Sequence, residues 1–161
     1  MTTSQYPPAT GIDAQPARLT VCALIWSTPA QVRSALEIVS IEDFDTPHRE
    51  IVATIAHLAT RDVSGPEAVM GELLRRGDFH GPVRRELETT PLSGGVPEGI
   101  TDYVTSHLAQ RFRDRTAAYG LAVATASESS SEHELWGSIV DGGRELRRLA
   151  DRLEALRGGA L

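Results

Sequence analysis

Two helices with their own start and stop signals lie back to back between Ile41 and Phe79 (IEDFDTPHREIVATIAHLATRDVSGPEAVMGELLRRGDF) and commit this part of the chain to helix. The stretch begins with an acidic turn, Ser40–Asp45, whose Phe44 is expected to plug the core between two helices. Thr46 is placed as a cap and Pro47 as the first residue of the next helix, where a missing N–H is not needed. Ile51, Val52, Ile55 and Leu58 recur at i, i+1, i+4 and i+7, the stripe of an amphipathic helix. Ser64-Gly65-Pro66-Glu67 matches a capping box, in which Ser accepts from one backbone N–H and Glu reaches back to another. Behind it, Val69, Met70, Leu73 and Leu74 are expected to face inward. Arg75 and Arg76 suit the negative end of the helix dipole, and Gly77 suits the left-handed residue that stops a helix.

The same punctuation continues on both sides. Residues 1–13 are polar and Pro-bearing and are expected as a disordered tail. Pro16–Trp26 (PARLTVCALIW) is read as a helix buried over most of its surface, with a buried strand as the rival. Ser27 or Thr28 can cap a following helix begun by Pro29, with Val32, Ala35, Leu36 and Val39 at helical spacing. A short helix around Pro82–Glu88 turns Val83 and Leu87 inward. Thr89–Gly99 (TTPLSGGVPEG) is turn chemistry throughout and divides the chain. From Ile100 to about Ala126 a long helical segment carries Tyr103, Val104, Leu108, Phe112 and Leu121, and a Ser-rich turn ends it. Ser131 and Glu134 then form a second capping box.

In the last helix Leu135, Ile139, Gly142, Leu146, Leu149, Leu153 and Leu156 alternate at steps of four and three, a heptad seam. Gly142 on that seam, beside Gly143, either admits a close helix approach or marks a kink; each glycine forfeits about 1 kcal/mol of helix propensity. Gly158-Gly159 ends the helix. A two-helix hairpin is too thin to bury its own apolar face, so the seam is expected to meet the rest of the domain or a second copy.

The chemistry available is narrow. All 16 basic residues are Arg. Without Lys there is no Walker A loop, no Schiff-base chemistry and no Ser–Lys dyad. The net charge is −6, and no third of the chain is basic: three Arg face six acids in residues 1–60, eight face nine in 61–115, and five face seven in 116–161. The long-range field therefore does not favour a phosphate backbone, and direct nucleic-acid binding is not expected. Cys22 stands alone in an apolar run and reads as a small buried hydrophobe rather than a reactive thiol. His48 and His57 lie nine residues apart on one helix, about 900° of rotation, so they point to opposite faces and share no metal. Glu42, Asp43 and Asp45 complement a helix dipole rather than gather a cation. The chain has no G-x-S-x-G, and its Gly pairs lack the spacing of a phosphate cradle. No catalytic residue, metal or cofactor is expected. Arg111, Arg113 and Arg115 (RFRDR) form the best basic cluster, with Arg111 and Arg115 on one helical face. They are read as a solvated, salt-bridged face or as a contact for an acidic patch on a partner. With no apolar run long enough to span a membrane and no signal-like start, a cytoplasmic location is expected.

The order of these signals resembles the amino-terminal domain of DnaB-type replicative DNA helicases. Asp43-Phe44 followed by Pro47-His48-Arg49 is similar to that family's acidic turn ending in Phe and its Pro-His-Arg-opened helix. Leu73-Leu74-Arg75-Arg76-Gly77-Asp78-Phe79 is similar to the end of its next helix, and Leu87-Glu88-Thr89-Thr90-Pro91 to the Leu and Thr-Pro loop before its hairpin. The resemblance spans residues 16–156, with two departures: ARLTVCALIW replaces the family's EAEQ-type opening, and the RecA-like ATPase domain has no counterpart in this sequence.

The expected fold is all-α: a compact multi-helix orthogonal bundle over residues 14–99, a long antiparallel helical hairpin over 100–157, and a short tail at 158–161. The resemblance implies a non-catalytic interaction module in DNA replication, self-associating as a homodimer or higher oligomer through the Leu135–Leu156 seam and meeting a replicative helicase or primase. The alternatives are a helical DNA-binding regulator, or a mobile-element or relic protein that interferes with the host helicase.

Overall fold

In the computed structural model, which describes residues 15–158, Pro16 begins α1 (Pro16–Trp26), and every residue from Thr20 to Ile25 is buried. Burial of consecutive positions requires neighbours on all sides. They are α2 (Pro29–Leu36), α3 (His48–Ala59), α4 (Pro66–Arg76) and two 3-10 turns at Thr90–Leu92 and Pro97–Gly99. The rival strand is ruled out. α3 is the second central helix: it packs on α1, α2, α4 and α5 (Gly81–Thr89) and buries Ile51, Val52, Ile55 and Leu58. Two long helices complete the chain, α6 (Ile100–Ser127) and α7 (Glu132–Gly158). The architecture is all-α, with no strand among the described residues. Residues 1–14 and 159–161 lie outside the described residues, and with them the tail expected at 1–13 and all but Gly158 of the one at 158–161.

Contacts group the chain into two units, the first running to His107 and the second from Leu108. In the first unit the Gly- and Pro-rich loop belongs to the core. Thr90 and Ser93 are buried, and a Cβ at Gly95 would fall 2.3 Å from the Leu19 carbonyl oxygen and 2.9 Å from the Cys22 Cβ. Glycine is needed there because the loop backbone lies directly on α1. The Cys22 Sγ donates to the Gly95 carbonyl at 3.3 Å and is fully buried. The first unit continues two turns into α6, where Val104 is buried and the His107 ring stacks on Phe44 with centroids 4.7 Å apart.

Three local expectations are corrected. Ser64 makes no capping box: the helix starts one residue later, with Gly65, at φ +104°, as an N-cap that has no side chain to accept a hydrogen bond and Pro66 at the first position. Thr46 does not cap α3 either; Pro47 holds the N-cap position, and the Thr46 hydroxyl donates to the Glu50 carboxylate at 2.9 Å. On α4, Val69 and Leu73 are buried, but Met70 and Leu74 are 42% and 56% exposed. The missing part of that inward face is taken by Glu72, which is buried because Arg75 and Arg76 reach back over it at 2.6 and 2.7 Å. Thr28, by contrast, forms a full capping box with Gln31, and Gly77 ends α4 at φ +78° with Asp78 N–H donating to the Leu73 carbonyl.

Candidate interaction surface

The residues of the acidic turn and of α3 that carry the sequence resemblance are structural anchors. Asp43 is buried and accepts from the Ser40 backbone N–H at 2.8 Å, closing a one-turn 3-10 helix (Ile41–Asp43). Phe44 is fully buried, as its role as a plug requires, and its carbonyl accepts from Arg49 Nε at 2.8 Å. His48 reaches α5, its Nε2 lying 2.8 Å from Glu86 Oε1. That carboxylate also takes a two-pronged contact from Arg18 at 2.7 and 2.8 Å and the Thr90 hydroxyl at 2.8 Å. Burial pushes the Glu86 carboxyl up; the hydrogen bonds from Arg18, Thr90 and His48 outweigh it and hold the group at about 2. Hydrogen bonding from Arg75, against an opposing push from burial, likewise holds Glu72 at about 2. The Glu86 knot joins α1, α3 and α5 across 68 residues of sequence, and no sequence signal marks it. The Glu72 pair is legible, because i+3 and i+4 partners are neighbours on a helix.

In the second unit, Ser131 and Glu134 form the expected capping box: the Glu134 carboxylate accepts from the Ser131 N–H at 3.1 Å, and Ser131 Oγ accepts from the Glu134 N–H at 3.4 Å. α7 then runs antiparallel to the end of α6. The Tyr119 hydroxyl donates to the Ile139 carbonyl at 2.8 Å, Arg115 lies 3.6 Å from Glu145, and Phe112 lines a cleft with Leu153. The heptad seam faces α6. Leu149 and Leu153 are buried, while Leu135, Ile139, Gly142, Leu146 and Leu156 are half-buried. Gly142 admits a close approach: a Cβ there would stand 2.4 Å from the Tyr119 ring. The partner ring was not foreseen, since a lone Tyr on a long helix carries no such signal. Arg115 is exposed and paired with Glu145, and Arg111 is half-buried.

What the hairpin leaves exposed is apolar near its turn. Leu121 on α6 is 71% exposed and Trp136 on α7 is 66% exposed. Among the described residues no group of three or more His, Cys, Asp or Glu could hold a metal ion, and no helix is long and apolar enough to cross a membrane.

The fold has a solved counterpart in the N-terminal domain of DnaB helicase from Mycobacterium tuberculosis, which superposes with a TM-score of 0.61 over 93% of this chain and 97% of that one. The chain has a DnaB N-terminal-like fold. Sequence identity across this match is 19%. No family model matches the sequence, and no curated protein does. The DnaB N-terminal-like fold is thus built here from a sequence with no lysine.

Proposed function

We propose that this chain is a non-catalytic interaction module of DNA replication, which self-associates through its hairpin and contacts a replicative helicase or primase. The observation that carries the reading is the fold match, which covers nearly the whole length of both chains and so includes the hairpin as well as the core. The uncovered Leu121 and Trp136 support self-association, because a second copy would remove two large apolar side chains from water. The seam contributes by shaping the hairpin: Leu149 and Leu153 hold α7 to α6, and the half-buried Leu135, Ile139, Leu146 and Leu156 offer their outer edges to a partner.

Light scattering over a concentration series tests this. A dimer or larger species is expected, and Leu121→Asp with Trp136→Asp should shift it to monomer while helix content is kept, since both positions are exposed. Leu149→Asp is the weaker probe, because an acid at a buried seam position unfolds the hairpin. A strict monomer at every concentration sinks self-association. Recovery of neither the replicative helicase nor the primase with this chain, purified from its native host, sinks the replication role.

A further inference from the structure

The hairpin carries a cleft with two arginines and one glutamate at its rim, an excess of one positive charge. Ala109, Phe112 and Arg113 on α6 line it with Ala150, Leu153, Glu154 and Arg157 on α7, around a space of about 310 Å³. Its floor is apolar: Leu153 is buried, and Phe112, Ala109 and Ala150 are half-buried. At its rim stand two exposed guanidinium groups, Arg113 and Arg157, and neither has a hydrogen-bond or ion-pair partner among the described residues. Several nearby arginines are paired: Arg115 with Glu145, Arg144 with Asp141 and Arg147 with Asp151. Arg61, Arg85 and Arg148 are also exposed without such a partner among the described residues, so what sets Arg113 and Arg157 apart is that both border the same apolar floor.

The geometry points to a docking site for an acidic segment of a partner protein, one that sets an aromatic or aliphatic side chain on Phe112 and Leu153 and carboxylates on Arg113 and Arg157. Planar guanidinium forks match carboxylates, and the apolar floor rewards a side chain that a bare phosphate backbone lacks. Glu154 keeps the rim from becoming strongly positive, and the overall charge of −6 opposes approach of a long polyanion. A short segment with few charges and one apolar anchor avoids that repulsion. The inference rests on the reading of the chain as an interaction module and adds to it the chemistry of one partner.

The test uses the full chain and a labelled peptide alternating Asp with Phe, followed by fluorescence anisotropy, with light scattering on the same samples. The peptide is expected to bind, and Arg113→Glu with Arg157→Glu to weaken it by about tenfold or more, as for truncating close interfacial charge pairs. Ser in place of the Phe residues should also weaken it severalfold, while circular dichroism of the double variant stays unchanged. The proposal is overturned if the double variant binds equally well, if a Lys–Phe peptide binds as tightly, or if an oligothymidylate binds with the same dependence on both arginines. A scattering mass that falls as peptide binds also overturns it, since the cleft would then be the self-association face. Peptide binding by a chain that is monomeric throughout upholds this site and removes only the self-association reading.

Discussion

Glu86 concentrates more of the first unit's polar organisation in one side chain than any other residue described. Three elements donate to it, so replacing it by Ala removes the acceptor shared by Arg18, His48 and Thr90 from a half-buried site. A loss of about 2–4 kcal/mol is expected from urea unfolding, a little below the roughly 3–5 kcal/mol for removing one member of a fully buried ion pair because these side chains keep some contact with water. Its pH dependence has a definite sign. Glu86 and Glu72 titrate at about 2 in the folded chain against an ordinary 4.5. Above 4.5 their contribution is fully present; it falls as pH drops from about 4.5 and is gone once pH passes below about 2. Unfolding midpoints measured across that window should decline, and Glu86→Gln should flatten part of the decline. Phe44 makes the matching apolar prediction: fully buried and stacked on His107, its replacement by Ala should cost about 3–5 kcal/mol by thermal or urea unfolding. The Phe44 plug was legible because an aromatic between two helix signals has few places to go. The Glu86 knot was not, because a contact spanning 68 residues leaves no local pattern.

Among the elements, sequence punctuation identified helices better than it identified their faces. Thr28 and Ser131 cap as their hydroxyls allow, but Ser64 loses its place to Gly65, whose positive φ an ordinary residue rarely adopts. The inward face of α4 was misjudged at Met70 and Leu74, since an intrahelical Glu–Arg pair can bury a carboxylate where a hydrophobe is expected. The hairpin offers a paired test at adjacent glycines. Gly143→Ala meets nothing within 4 Å and should stabilise the hairpin by up to about 1 kcal/mol through helix propensity. Gly142→Ala meets the Tyr119 ring at 2.4 Å, and about 1–3 kcal/mol of overpacking should outweigh the same gain. Thermal unfolding of the two variants therefore moves in opposite directions. Should both rise, Tyr119 can step aside and the close approach is not required.

For the molecule as a whole, the pattern of the sequence led to the same fold that the structure match reports, although identity across that match is 19%. The agreement has a physical basis: helix starts, stops and periodicities survive replacement of the side chains between them. The boundary between units was less legible. Gly and Pro at 89–99 signal turns, and turns are also how a chain lies flat on a buried helix, as Gly95 does on α1. This contact gives the protein an intrinsic clock for its own opening. The sequence has a single thiol, sealed beneath the Gly95 carbonyl, so a thiol reagent can reach it only in molecules whose loop has lifted from α1. Labelling kinetics would then report the free energy of that one local opening, separately from global unfolding, and a partner that braces the loop would slow them without touching the sulfur.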